Sequence, residues 1–438
     1  MRTEILPQLR QDPEVQVSEQ VLRTCVHCGF CNATCPTYLL TGNELEGPRG
    51  RIYLIKNILE GSIKPSRQTL DHLDNCLGCL ACETTCPSGV VYSRLLEEAR
   101  PRLDQQVDRP LAARLLRALL VCLLPHPRRF RLSLRLASLG RLTRPLMPAA
   151  WRHLLEMAPA HLPAPARLAT PGIHPAQGER RARVLLLTGC AQQVLGPQIN
   201  DAALRLLTRL GAEVVIPADT GCCGALTFHM GERKHSLMMM RNTVEGWHRE
   251  LERAPLDAIV LSTSGCATVV KEYDHLFRHD PILGPKAAAV VPLVKDISEV
   301  IAQLGLGETV DLPRLRVAYH DACSLQHGQR IKTPPRQLLQ EAGFEVVEIP
   351  EGHLCCGSAG TYNLLEPEFA QPLLERKAGH IAQLRPQVVA AGNIGCIEQL
   401  ARGVQVPVLH TVELLDWATG GPRPAALAQL PLTTPAPA

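Results

Sequence analysis

Aromatic residues make up only 3% of this 438-residue chain, so any large core must be built from Leu, Val, Ala and Ile. The hydrophobic fraction of 45% is enough for one, and the length suits about two to four domains. No apolar run approaches the roughly 18 residues of a membrane span. The longest, Ala118 to Leu124, falls far short. Met1 to Val15 contains Pro7, Asp12 and Glu14 and no apolar h-region, so no secretory signal is expected. There is no G-x-G-x-x-G fingerprint and no P-loop, hence no sign of a dinucleotide site on this chain. The net charge of +4 is too mild to argue for a nucleic-acid partner.

What the chain has in plenty is cysteine, seventeen in all. Two runs share one spacing, C-x2-C-x2-C-x3-C-P: Cys25, Cys28, Cys31, Cys35, Pro36 and Cys76, Cys79, Cys82, Cys86, Pro87. This is the bacterial ferredoxin spacing for [4Fe–4S] clusters, in which the fourth cysteine of each run serves the other cluster. The expected ligand sets are therefore Cys25, Cys28, Cys31 and Cys86 for cluster 1, and Cys76, Cys79, Cys82 and Cys35 for cluster 2. Four-cysteine zinc sites are the alternative, but they use paired C-x2-C elements rather than a run of four ending in proline. A disulfide framework does not suit a long chain without a secretory signal.

Between the runs, Gly47-Pro48-Arg49-Gly50-Arg51 leads into Ile52, Leu54, Ile55, Ile58 and Leu59 at helical spacing, after a helical lead-in over Met1 to Val21. Arg49 and Arg51 either offset the charge of anionic clusters or are ordinary solvated arginines. Residues 1–100 thus read as a mainly helical domain with two clusters. Residues 101–157 read as basic amphipathic helices carrying Arg109, Arg114, Arg117, Arg128, Arg129, Arg131, Arg135, Arg141 and Arg144, broken at Pro125 and Pro127. Such a segment can lie on an anionic membrane, dock an acidic subunit, or be a solvated face. Cys122 within it reads as a buried structural thiol. Residues 158–182 read as a Pro/Ala-rich linker, and 421–438 as a disordered tail.

Residues 183–310 and 311–420 form an internal repeat. Each copy opens with a strand running to a cysteine: Arg183 to Cys190, and Arg316 to Cys323. A helix and a second strand follow, Glu213 to Pro217 and Glu345 to Pro350. Then come Cys222-Cys223-Gly224 and Cys355-Cys356-Gly357, 32 positions after the first cysteine in both. A third strand is expected to end at Ser264-Gly265-Cys266 and Ile394-Gly395-Cys396. The strand–helix–strand order implies two pseudo-symmetric α/β repeats with cysteines where strands end. Cys190, Cys222, Cys223 and Cys266, then Cys323, Cys355, Cys356 and Cys396, are candidate ligands for a further Fe–S cluster or zinc. Redox dithiols or plain packing remain alternatives.

Four segments carry a family resemblance: Cys25 to Cys31, Gly47 to Lys56, Cys82 to Gly89, and His353 to Tyr362. With the doubled CCG motif, the chain resembles the iron–sulfur subunits of membrane-linked 2-hydroxy-acid and glycerol-phosphate dehydrogenases, and a subunit of heterodisulfide reductases. Among these it is most similar to the glycolate oxidase (glycolate dehydrogenase) iron–sulfur subunit family. The resemblance implies an electron-transfer subunit, not catalytic alone. FAD-binding partner subunits would oxidise glycolate to glyoxylate, and electrons would pass to quinone or another acceptor. It also implies a cytoplasmic location, peripheral on the inner membrane. The wider CCG pattern often ends in C-x2-C, whereas Thr263 and Asn393 stand at the earlier position here, which puts a five-thiolate site in doubt. A subunit of a lactate or glycerol-3-phosphate dehydrogenase or a heterodisulfide-reductase-like complex is the alternative within the class. A zinc-stabilised interaction scaffold is the alternative outside it.

Overall fold

The computed structural model describes residues 1–140, 149–159 and 161–429. The N-terminal lobe is built from short helices: α1 (Pro13–Thr24), α2 (Pro36–Thr41), α3 (Pro48–Leu59), α4 (Arg67–Asp74), α5 (Ala81–Thr85) and α6 (Tyr92–Asp104). The Asp12 carboxylate accepts the Glu14 N–H at 3.0 Å and Pro13 supplies the first helical φ, which starts α1. The lead-in helix expected over Met1 to Val21 therefore begins only at Pro13, after a short 3-10 turn at Pro7–Leu9. The Met1 ammonium instead donates to the carbonyls of Leu22, Arg23 and Cys25. Leu22, Ile52, Ile55, Leu70, Leu73, Leu95 and Leu103 close the apolar core of the lobe.

Helices α7 (Leu111–Leu123) and α8 (Pro127–Gly140) follow, broken at the prolines as the sequence suggests, and then α9 (Ala149–Met157). α6 runs on to Asp104, across the boundary placed at residue 100. Two of the arginines counted toward a basic outer face are structural. Arg109 binds Asp74 at 2.5 Å and also Asp104, while Arg117 reaches Asp74 at 3.2 Å and the Met230 carbonyl at 3.0 Å. Cys122 is exposed rather than buried. The inward stripe of α7 is Arg117, Leu120 and Val121, and Cys122 lies off it. Arg141 and Arg144 lie outside the described residues.

The rest of the chain forms two open sheets. The first holds β1 (Gly172–His174), β2 (Ala182–Leu187), β3 (Ala212–Ile216), β4 (Ala258–Leu261) and β5 (Val294–Asp296), in the order β1-β3-β2-β4-β5. Around it lie α10 (Gln192–Leu195), α11 (Pro197–Arg209), α12 (Ala225–His229), α13 (Arg233–Arg253), α14 (Ser264–Val270), α15 (Tyr273–Leu276), α16 (Leu283–Val290) and α17 (Ile297–Leu304). The second holds β6 (Arg316–His320), β7 (Glu345–Glu348), β8 (Val388–Ala391) and β9 (Val408–His410), in the order β7-β6-β8-β9. Its helices are α18 (Thr333–Glu341), α19 (Tyr362–Leu365), α20 (Pro367–Leu384), α21 (Ile394–Leu400) and α22 (Thr411–Ala418). All pairings are parallel except β1 on β3. β2, β4 and β8 are near-continuous apolar runs because helices cover both faces of a parallel sheet.

Three sequence expectations need correction. The linker read over 158–182 contributes β1 and the start of β2, since an extended Gly-Ile-His segment can pair with the free edge of β3. The third strands stop at Leu261 and Ala391, and Cys266 and Cys396 lie in the first turns of α14 and α21 instead. The tail folds as far as residue 429, with a 3-10 turn at Ala425–Leu427 that buries Leu427 completely; 430–438 lie outside the described residues.

The repeats share one core, to which Leu186, Leu206, Val317, Leu339 and Trp417 all belong. Across their boundary, Arg205 and Arg209 of α11 grip the buried Asp416 of α22 at 2.6 and 3.0 Å. Asp416→Ala should cost about 3 kcal/mol, the low end for a buried pair broken on one side, because the arginines can rehydrate. Denaturant unfolding of the holo chain measures it; a loss below about 0.5 kcal/mol would make this a surface-type bridge.

Candidate thiol-lined metal centres

The two ferredoxin-type loops fold alike. In Cys25-Val26-His27-Cys28-Gly29-Phe30-Cys31, His27 and Gly29 have φ of +61° and +88°. In Cys76-Leu77-Gly78-Cys79-Leu80-Ala81-Cys82, Gly78 and Leu80 occupy the same places with φ of +62° and +63°. Alternating left- and right-handed residues swing successive peptide N–H groups toward a common concavity, a form suited to anions. The His27 N–H reaches Cys25 Sγ at 3.4 Å and the Gly78 N–H reaches Cys76 Sγ at 3.5 Å. His27 and Leu80 are not glycines, so each such conformation costs on the order of 1–3 kcal/mol, strain of the kind that gathers at functional sites.

Cys25, Cys28, Cys31, Cys82 and Cys86 line one hollow, together with Pro48, Arg49 and Ile52. Cys35, Cys76, Cys79 and Cys82 line a second, with Pro48 and Arg51. The N-terminus of α3 therefore stands between the two and presents its positive end to both. Gly50 is required there: a Cβ would sit 2.1 Å from the Glu44 carbonyl oxygen. Arg51 is fully buried and donates to Glu46 at 2.7 Å, Thr37 at 3.2 Å and the His72 carbonyl at 2.6 Å. Burial disfavours its charge, but the neighbouring Cys76, Tyr92, Cys35 and Glu46 outweigh this and hold it above the usual arginine range. Arg51 is thus no solvated arginine. Arg49 is a third exposed and pairs with Glu44 at 2.6 Å.

Burial, and then the neighbouring Cys25, Cys86 and Cys28 sulfurs, push the Cys31 thiol up to about 11. Burial likewise drives Cys79 and Cys82 far above the usual thiol range. Gathering thiolates in a low-dielectric hollow is uphill unless a cationic group binds them, so these donor sets fit a metal centre better than a set of free thiols.

In the first repeat Cys190 follows β2, Cys222 and Cys223 precede α12, and Cys266 opens α14. Cys222 Sγ lies 3.3 Å from Cys190 Sγ. Interactions with the Cys190 and Cys223 side chains hold the Cys222 thiol well below the usual thiol range. In the second repeat Cys323 Sγ lies 3.9 Å from Cys355 Sγ, and Cys356 interacts with both Cys355 and Cys396. Each repeat thus brings its four candidate cysteines together at the carboxyl ends of the strands, where doubly wound sheets form their sites. Gly224 and Gly357 make the turns, with φ of +75° and +87°.

Two residues of the second site were not singled out from the sequence. His320, at the end of β6, places a ring nitrogen within 4.8 Å of Cys356 and Cys396 sulfurs that lie equally close to each other. Lys377 of α20 is buried, donates to the Glu351 carbonyl at 2.7 Å, and is pushed down by burial but supported by Cys356 and Cys355. The available signal was a histidine three residues before Cys323, where Leu187 stands before Cys190.

The second ferredoxin-type hollow is seated against both repeats: Phe228, His229, Gly265 and Thr268 of the first and Ser324 and Gly328 of the second line it. Cys79 and Leu77 pack in one apolar cluster with Cys355, Cys323 and Tyr362. The Tyr362 hydroxyl donates to the Asn75 carbonyl at 2.9 Å, and Thr84 hydrogen-bonds His327 Nδ1 at 2.7 Å.

The 4Fe-4S dicluster domain family matches residues 21–90, and the cysteine-rich domain family matches residues 184–271 and 317–401. The glycolate oxidase iron-sulfur subunit of Escherichia coli (strain K12) is 40% identical over 95% of this chain and 99% of its own length. The probable glycolate oxidase iron-sulfur subunit of Bacillus subtilis (strain 168) is 33% identical over 95% and 98%. Lactate utilization protein A of Oceanobacillus iheyensis is 25% identical over 53% of this chain and 96% of its own.

Gly357 tests the rigidity of the CCG turn. An added Cβ would lie 2.5 Å from the Ala370 carbonyl oxygen, whereas Gly343, also left-handed, has nothing within 4 Å of such a Cβ. Gly343→Ala should cost about 1 kcal/mol and Gly357→Ala about 3 kcal/mol or more, read by thermal unfolding of the anaerobic protein.

Proposed function

Because the chain belongs to the family of glycolate oxidase iron–sulfur subunits, we propose that it is the electron-transfer subunit of a glycolate-oxidising complex. The observation that carries the reading is the pair of thiol-lined hollows on either side of the α3 N-terminus. Cys25, Cys28, Cys31 and Cys86 would hold one [4Fe–4S] cluster, and Cys76, Cys79, Cys82 and Cys35 the other. Two such clusters supply carriers that take electrons one at a time from a two-electron donor. The chain's own part is to hold the thiolates, to balance their charge with Arg51 and the α3 dipole, and to keep water out of the second hollow by seating it against the two repeats. The two CCG repeats are read as pseudo-symmetric copies, a reading supported by the shared strand order.

Oxidation of glycolate to glyoxylate removes two electrons and two protons, and amino-acid side chains do not accept a hydride, so a cofactor must. FAD on partner subunits is the proposed acceptor, with quinone or another carrier downstream. Among the described residues no helix is long and apolar enough to cross a membrane. Peripheral contact at the cytoplasmic face of the inner membrane is proposed on a different feature. Leu111 and Leu115 on α7, and Leu132 and Leu136 on α8, are more than half exposed beside Arg114, Arg128 and Arg135. Such contact should weaken at high salt as exposed charges are screened.

Anaerobically prepared protein should carry about 8 Fe and matching acid-labile sulfide in the N-terminal lobe. Stoichiometric zinc without sulfide would favour the scaffold reading instead. If ligation is crossed, Cys35→Ser should perturb the same EPR signal as Cys79→Ser, and Cys86→Ser the same signal as Cys28→Ser. Own-run pairing would sink that assignment. The isolated chain should show no glycolate-dependent dye reduction, whereas co-expression with its flavoprotein subunits should restore it. Unaided oxidation by flavin-free protein would overturn the function.

A further inference from the structure

We propose that His320 is a metal ligand of the second cysteine-rich site, acting with Cys356 and Cys396. The proposal rests on the reading that this repeat holds a metal, and goes beyond it by naming a nitrogen donor. Three independent observations support it. The donor atoms of His320, Cys356 and Cys396 all lie within 4.8 Å of one another, and all three residues are buried. A tetrahedral ion with bonds of about 2.1 Å to nitrogen and 2.3 Å to sulfur holds its donors roughly 3.6–3.8 Å apart, so small side-chain adjustments close the site.

Second, His320 is 1% exposed, yet among the described residues neither of its ring nitrogens has a hydrogen-bond partner. A buried polar group without a partner costs about 1–3 kcal/mol, and buried imidazoles ordinarily satisfy at least one nitrogen. His410, at the end of β9, shows the ordinary case: its Nε2 meets the Ser262 carbonyl oxygen at 2.7 Å and its Nδ1 accepts the Val412 N–H at 3.0 Å. A metal on one nitrogen of His320 would supply the missing partner.

Third, the repeats differ at this position in a chemically directed way. Leu187 stands where His320 would be in the first repeat, and it packs with the apolar residues around Cys190, Cys222 and Cys223. The thiol that the longer C-x2-C ending would supply is replaced in the second repeat by Asn393, whose side-chain amide donates to Cys396 Sγ at 3.4 Å. Asn393 thus supports a ligand without serving as one, and the imidazole of His320 fills out the donor set. Buried Lys377 offsets thiolate charge at this site. A mixed sulfur and imidazole set suits a borderline-soft divalent ion, either Zn(II) or one iron of an Fe–S group.

The test uses the full chain, purified anaerobically and exposed either to Fe(II) with sulfide or to Zn(II) alone, with metal counted per chain after dialysis against a chelator. His320→Leu, which installs the residue of the first repeat, and His320→Gln should each weaken retention at this site by at least about tenfold, since even outer-shell partners are worth that much. The iron of the N-terminal lobe should be unchanged, and circular dichroism should show both variants folded. In wild type, 15N-histidine labelling should give a directly bonded nitrogen coupling in pulsed EPR if the ion is iron. If it is zinc, the X-ray absorption edge should show a mixed nitrogen and sulfur shell. Either nitrogen signature should vanish in His320→Leu. If Cys396→Ser loses the metal while both His320 variants keep it with unchanged spectra, the histidine is a packing residue and the inference fails alone. If Cys396→Ser also loses nothing, the repeat holds no metal there and the underlying reading fails with it.

Discussion

The structure depends on holding many sulfur atoms close together out of water. Burial first, and then the neighbouring sulfurs, push the Cys31 and Cys79 thiols up. The fold meets this with positive charge that is itself buried. Arg51 and the N-terminus of α3 serve the two N-terminal hollows, and Lys377 serves the second repeat. These cations are anchored by uncharged or singly charged oxygen groups nearby: Thr37, Glu46 and the His72 carbonyl for Arg51, and the Glu351 carbonyl for Lys377.

The lobes are joined by polar contacts around apolar ones. On the second repeat, Tyr362 and Thr84 hydrogen-bond across a cluster that includes Cys79 and Cys355. On the first repeat, the contact is more ionic: Arg233 bridges Glu14 and Glu98, and Arg278 pairs with Glu14. The apolar contact is the one where candidate metal ligands of two lobes approach. Low dielectric there strengthens every charge interaction between them.

Each repeat uses the same solution for placing cysteines. A parallel strand ends, the chain turns, at Gly224 and Gly357 through a left-handed glycine, and a helix begins, so the sulfurs converge at the carboxyl end of the sheet. Similar placement does not make the sites equal. Leu187 leaves the first site all sulfur on that side, while His320 gives the second a nitrogen. The second site is also the one packed against the N-terminal lobe. Two segments that match one domain family therefore offer different donor atoms.

Much of this was readable in the chain itself. The two evenly spaced cysteine runs were legible because each is local in the sequence. The helix after Gly47, the break at Pro125 and Pro127, and the strands beginning at Arg183 and Arg316 were legible for the same reason: periodicity and proline act over a few residues. Tertiary structure alone decided what depends on distant partners. Arg109 and Arg117 look like surface charge until Asp74 is brought beside them, and Cys122 looks buried until the inward stripe of α7 is known. The Gly172 segment reads as linker because its pairing partner, β3, lies some forty residues on, from Val214 to Ile216. His320 was invisible as a candidate ligand, since nothing local to β6 announces that Cys356 and Cys396 will fold onto it. Spacing determines what a short loop can hold; only the packed fold determines which remote side chains share its low-dielectric space.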